Sequence, residues 1–183
     1  MTHLTMAQLE AGLDHIKQSP KDFGVLEMIC RRPRVNEREV LELGELHTVD
    51  GLIGDSWNQR ESSRTPDRLP NPETQLNIIN SRAIALIAQT KERWALAGDQ
   101  LFLDLDLSIQ NLPPGTRVQL GTAVIEVTPP PHTGCKKFVA RFGLDAMMFV
   151  NSANGRQLCL RGINAKVIKG GIVRVGDQAH KII

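Results

Sequence analysis

The sequence predicts a mostly β, barrel-like domain with a few short α-helices. The apolar runs are short and often alternating, turn signals separate them at frequent intervals, and few stretches repeat with helical period. No repeat of solenoid length and no low-complexity tract interrupts the pattern. The 183 residues fit one domain with a sizeable core of its own. The reading divides the chain into an N-terminal helix and lead-in over 1–22 and a single barrel domain over 23–183.

Thr5-Met6-Ala7-Gln8 has capping-box spacing, and Leu9, Leu13 and Ile16 recur at helical intervals, predicting one helix from Met6 to Gln18. Gly24 to Cys30 reads as a strand ended by Pro33, and Glu37 to His47 as its hairpin partner across the basic turn Arg31-Arg32-Pro33-Arg34. Two glycines bracket Leu52-Ile53 ahead of Asp55. The polar stretch 58–73, with its prolines and arginines, has no obvious element, which marks a functional or mobile loop. Gln75 to Ile79 resumes as a strand. Asn80-Ser81 caps a helix through Ala88 that is too apolar all round to be exposed.

Leu101 to Leu107 alternates strictly, as a half-buried strand does. Arg117 to Leu120 and Thr122 to Thr128 form a tight strand pair around Gly121. After a cysteine-containing loop, Val139 to Val150 reads as helical turns interrupted at Gly143. Leu158 to Ile163, Ala165 to Ile168 and Ile172 to Val175 are the final strands.

Composition excludes several function classes. Hydrophobic residues make up 41% and charged residues 23%, ordinary globular values. A net charge of +2 gives no global attraction to nucleic acid or anionic membrane, so any anion site must be local. Aromatic content of 4%, with no tyrosine, gives little material for base-stacking platforms. No apolar run reaches membrane-spanning length, and residues 1–10 lack the cationic-then-apolar order of a secretory signal. Three widely spaced cysteines make a poor disulfide framework. The expectation is a cytoplasmic protein with free thiols and no nucleic-acid or membrane partner.

The stretch Thr128-Pro129-Pro130-Pro131-His132-Thr133-Gly134-Cys135-Lys136-Lys137-Phe138 builds no core and is where function is expected. Prolines stiffen it, and a thiol lies between a strand end and a helix start among cations. Cations lower a cysteine pKa, and the thiolate is both nucleophile and metal ligand. His132 with Cys135 permits a hydrolase dyad, although a spacing of three within a loop is weak support. Zinc needs about four ligands and no second pair has suitable spacing, so no zinc is expected. Cys30 and Cys159 sit in apolar strand patterns and read as core thiols. Arg82, Arg156, Arg161, Lys136 and Lys137 lie near glycine turns, and arginine forks suit phosphate and carboxylate oxygens. A solvated surface charge is the commoner role for each. No phosphate loop or dinucleotide fingerprint is present.

In order along the chain, several segments are similar to the MOSC domain, the C-terminal domain of molybdenum cofactor sulfurases. They are Gly51-Leu52-Ile53-Gly54-Asp55, Gln75-Leu76-Asn77-Ile78-Ile79-Asn80-Ser81, Leu112-Pro113-Pro114-Gly115-Thr116-Arg117, Gly121 to Thr128, the single Cys135, Arg161 to Val167 and Gly170 to Asp177. The resemblance implies a barrel-like fold whose cysteine lies in a cleft and either carries sulfur or ligates molybdenum in a pterin cofactor (molybdopterin). It makes Cys135 the metal ligand or persulfide carrier and catalytic thiol. Lys136, Lys137, Arg82, Arg161 and Asn164 become candidate cofactor ligands, with His132 and Thr133 beside them and Asp55 organising the glycine turn. Stand-alone relatives include reductases of N-hydroxylated compounds, which implies a molybdenum-dependent oxidoreductase acting on a small molecule, with an electron or sulfur donor protein as partner. The alternatives are a sulfur carrier holding a persulfide on Cys135 and a non-catalytic small-anion binding module. Pyridoxal phosphate belongs to another domain of the sulfurase and is not expected. Where many members read Gly-Glu-Asn, this chain reads Gly98-Asp99-Gln100, and 56–73 lacks the histidine they carry.

Overall fold

A computed structural model describes residues 2–61 and 65–182. Seven strands close into a ring: β1 (Gly24–Arg31), β11 (Gln178–Ile182), β7 (Arg117–Leu120), β8 (Ala123–Val127), β9 (Ile163–Lys169), β5 (Leu76–Asn80) and β6 (Leu101–Asp104), which returns to β1. Closure removes the free edges an open sheet would present. The fold is therefore the β-barrel with short helices that the sequence predicts. Strand β2 (Glu39–Leu41) extends one end of β1. A small second sheet joins β10 (Gly171–Arg174), β3 (Leu43–His47) and β4 (Gly51–Leu52).

Two apolar layers follow from strand periodicity. On β6, Leu101 and Leu103 enter the barrel with Leu26, Ile29, Ile78 and Ile125. Phe102, between them, faces outward into a second cluster with Met28, Cys30, Ile79 and the helices. This is why Leu101 to Leu103 is buried throughout rather than alternately. The outer layer contains α1 (Met6–Ala11), α2 (Leu13–Lys17), α3 (Ser81–Ala88), α4 (Lys136–Phe142) and α5 (Leu144–Asn151). Asn80 caps α3, its side chain accepting from the Ala83 N–H at 2.9 Å. Because α3 crosses outside the barrel, β5 and β6 can pair in parallel.

Several expectations change. The N-terminal helix is two short ones, broken at Gly12, which abuts Leu86 of α3. The predicted strand 37–47 splits between the two sheets at Glu42, whose carbonyl accepts from Val175 N–H at 3.0 Å. Residues 158–162 are not a strand. Ser152 caps α6 (Ala153–Gln157), a turn follows, and pairing begins only at Ile163. Cys159 therefore lies on that turn at φ +50° and is half-buried, not a strand thiol of the core. Strand β11, which closes the barrel, carries too polar a sequence to stand out by pattern. In the stretch 58–73, the described residues include 3-10 turns over Trp57–Gln59 and Pro72–Thr74, and 62–64 lie outside the described residues.

Candidate functional site

The loop after β8 is held at both ends. Thr128 N–H donates to Asn164 O at 3.0 Å, and Asn164 Nδ2 donates to Pro130 O at 2.8 Å. At the other end Gly134 and Asn151 exchange two bonds, Gly134 N–H to Oδ1 at 2.9 Å and Nδ2 to Gly134 O at 3.2 Å. Cys135 follows as the N-cap of α4, while Phe138 and Phe142 on the same helix anchor it in the outer apolar layer. Of the three cysteines Cys135 alone is exposed. Lys136 and Lys137 are exposed beside it. The sequence built this display simply: polar, glycine-flanked residues before the helix, phenylalanines four apart inside it.

Burial pushes the Cys30 and Cys159 thiols up to about 11, which keeps both protonated at neutral pH. With an aromatic disulfide reagent at pH 8, the native protein should release one equivalent quickly, and three only after denaturation. Cys135→Ala should abolish the fast phase, and a fast phase surviving that change would refute the assignment. The same shifts set a sign for stability. The two shifted thiols cost nothing below an ordinary 9.0, and stability falls from there to about 11 as the unfolded thiols ionise first.

Beneath the loop runs a buried polar chain. Asp55 accepts from Arg32 Nε at 2.8 Å and Nη2 at 2.9 Å. Arg32 Nη1 donates to Asn77 Oδ1 at 2.9 Å, and Asn77 Nδ2 to Asn164 Oδ1 at 2.7 Å. From Asn164 the chain reaches Pro130. A second buried pair joins Asp99 to Arg161 Nη1 at 3.0 and 2.8 Å, with His132 Nδ1 at 3.4 Å from the same carboxylate. Gln100 beside it accepts from Asn77 N–H at 2.8 Å and donates to Gln75 O at 3.2 Å. Within Gly98-Asp99-Gln100, then, Asp99 neutralises Arg161, and Gln100 ties β5 to β6.

The predicted residues separate into groups. His132, Thr133, Arg161 and Asn164 line a cavity of about 450 Å³ together with Cys159 and Arg156. Cys135, Lys136 and Lys137 do not line it and stand exposed at the start of α4. Asp55 is buried and orders its turn, donating its N–H to Leu52 O at 3.0 Å and accepting from Trp57 N–H at 2.9 Å. Arg82 is not brought to the loop. It lies on α3, paired to Asp104 at 2.7 and 3.0 Å and donating to His15 O. Missed by sequence reasoning were Arg32 as the partner of Asp55, and Arg38, which with Arg141 reaches the backbone near Gly98. Only charge marks these residues in the sequence, and they come from distant segments.

Among the described residues no group of three His, Cys, Asp or Glu side chains could hold a metal ion, so Cys135 is a single soft donor. Nor is any helix among them long and apolar enough to cross a membrane.

The MOSC domain family model matches residues 66–180. This chain belongs to the MOSC domain family. Solved structures agree on the fold. YuaD protein from Bacillus subtilis superposes with a TM-score of 0.58 at 16% identity, over 87% of this chain and 97% of that one. YiiM from Escherichia coli gives 0.56 at 16% identity over 87% and 70%, and YiiM from Geobacillus stearothermophilus 0.53 at 12% over 88% and 74%. Identities this low carry the fold alone. No curated protein matches the chain. Within the MOSC fold, then, the exposed cysteine follows a loop held at one end by Asn164 of β9 and at the other by Asn151 of α5.

Proposed function

We propose that this MOSC protein binds a molybdenum–pterin cofactor through the Cys135 thiolate and acts as an oxidoreductase on small N-hydroxylated compounds. The observation that carries the reading is the placement of Cys135: exposed at the N-cap of α4, on a loop pinned by Asn164 and Asn151. The donor set fits the group. A bare ion would need further side-chain ligands, which the described residues around Cys135 do not supply. A metal that arrives with sulfur ligands of its own needs one soft thiolate. Exposed Lys136 and Lys137 would face the anionic parts of such a cofactor. When bound, the cofactor would supply two-electron redox chemistry. The protein's own residues, Asn151 and Asn164, hold the loop and with it the thiolate in position. Reducing an N-hydroxyl group consumes two electrons and two protons and releases water, so the reading includes an electron-donor partner protein.

Expression in a cofactor-competent host, followed by elemental and pterin analysis, tests it. Wild type and Cys159→Ala should carry comparable molybdenum, and Cys135→Ala at least tenfold less. Equally negligible molybdenum in all three would sink the reading. If cyanide then released sulfur from wild type but not from Cys135→Ala, the sulfur-carrier role would replace it.

A further inference from the structure

The 3-10 helix over Lys91–Ala97 ends in successive carbonyls that different arginines occupy. Arg38 Nε donates to Ala95 O at 3.1 Å, Arg141 Nη1 to Leu96 O at 2.6 Å, Arg161 Nη2 to Ala97 O at 3.0 Å and Arg32 Nη1 to Gly98 O at 2.8 Å. Two of these cations are neutralised, Arg32 by Asp55 and Arg161 by Asp99. Arg38 and Arg141 form no ion pair with any described residue.

Those two uncompensated guanidinium groups converge. A Cβ on Gly98, where φ is +89°, would lie 3.4 Å from Arg38 Nη2 and 3.8 Å from Arg141 Nη1. Both tips therefore reach one point above the bare Cα, where the missing side chain leaves room. Burial, then the charges of Arg141 and Arg32, push the Arg38 pKa down from its ordinary value. Arg60, held on Ser56 Oγ at 3.2 and 2.9 Å, adds cationic charge nearby, and its pKa is likewise lowered by burial and by Arg32 and Arg38. Capping carbonyls accounts for one N–H of Arg141 and leaves its Nη2, like Nη2 of Arg38, without a hydrogen bond to a described residue.

We propose that Arg38 and Arg141, facing each other over Gly98, form a binding site for a phosphate-class oxyanion. Guanidinium forks from two different elements match a tetrahedral group with several oxygens better than a single carboxylate, which one fork would satisfy. The anion is either the free ion or the phosphoryl end of a larger ligand. The proposal requires neither a metal nor the Cys135 thiolate.

Calorimetric titration of the intact protein with inorganic phosphate, at constant ionic strength in chloride, tests the site. Wild type should bind one equivalent saturably. Arg141→Gln and Arg38→Gln should each weaken binding tenfold or more, about 1.4 kcal/mol. Lys137→Gln and Cys135→Ala should stay within twofold. Because Arg38 also caps a buried carbonyl, Arg38→Lys is included. It keeps a cation without the fork and should lose at least threefold with an unchanged melting midpoint. Phenyl phosphate binding tenfold tighter than phosphate assigns the site to a larger ligand, and equal affinities assign it to the free ion. No saturable binding up to millimolar phosphate in wild type overturns the proposal, as does unchanged affinity in Arg141→Gln. The arginines would then serve only as backbone caps.

Discussion

Replacing Asp99 with alanine should lower the unfolding free energy by about 3–5 kcal/mol, because it leaves a buried cation without its counter-charge. Asp99 is fully buried, and both carboxylate oxygens face Arg161 Nη1. Arg161 is 6% exposed, its Nε has no hydrogen-bond partner among the described residues, and its guanidinium carbon lies 5.0 Å from the Phe138 ring centroid. Burial pushes the Asp99 carboxyl up while Arg161 pulls it back, so each charge depends on the other for its place in the interior. Urea unfolding followed by circular dichroism measures the loss. Asp99→Asn keeps the shape and should cost less. Combining Asp99→Leu with Arg161→Met should recover part of the deficit, since an apolar pair strands no charge. A loss below about 1 kcal/mol for the alanine change, the range of an exposed pair, would contradict the buried-pair account.

Gly162→Ala should be nearly as damaging, by about 2–5 kcal/mol from strain and overpacking together. Gly162 has φ +108°, and a Cβ there would sit 2.2 Å from Ile78 O and 3.2 Å from His132 Nδ1. Ile78 lies on β5, paired on both sides, so its carbonyl cannot withdraw without breaking the barrel. The imidazole on the other side belongs to the loop that leads to Cys135. Alanine should therefore both destabilise the protein and displace His132, letting Cys159 at the cavity react with the disulfide reagent without denaturation. A variant with wild-type stability, in which Cys159 still reacts only after denaturation, would show that the turn yields more readily than its contacts imply.

Much of this molecule was legible in its residues. Local signals fixed local outcomes: Asn80 caps α3 where the sequence places a cap, Gly143 separates α4 from α5, and Gly121 joins β7 to β8. The strand count was less accessible. Residues 158–162 have strand-like composition, yet Ser152 starts a helix and the chain turns, because burying Leu160 among the helices outweighs β-propensity. Strand β11 is polar in sequence and becomes a strand because β1 and β7 both need an edge partner.

For the site, the sequence by itself determined the thiol: a cysteine between a proline-rich loop and an amphipathic helix must be displayed, since the phenylalanines claim the other face of α4. It also determined the family, through the order of its segments. Only the tertiary structure decided which charges are paired and which are not. Asp55 and Arg82 became members of ion pairs, while Arg38 and Arg141 emerged as cations that form no ion pair with a described residue. The reason is physical. A charge's role depends on whether an opposite charge reaches it within a few ångströms, and those distances arise from contacts between segments far apart in the chain, on which local composition carries no information.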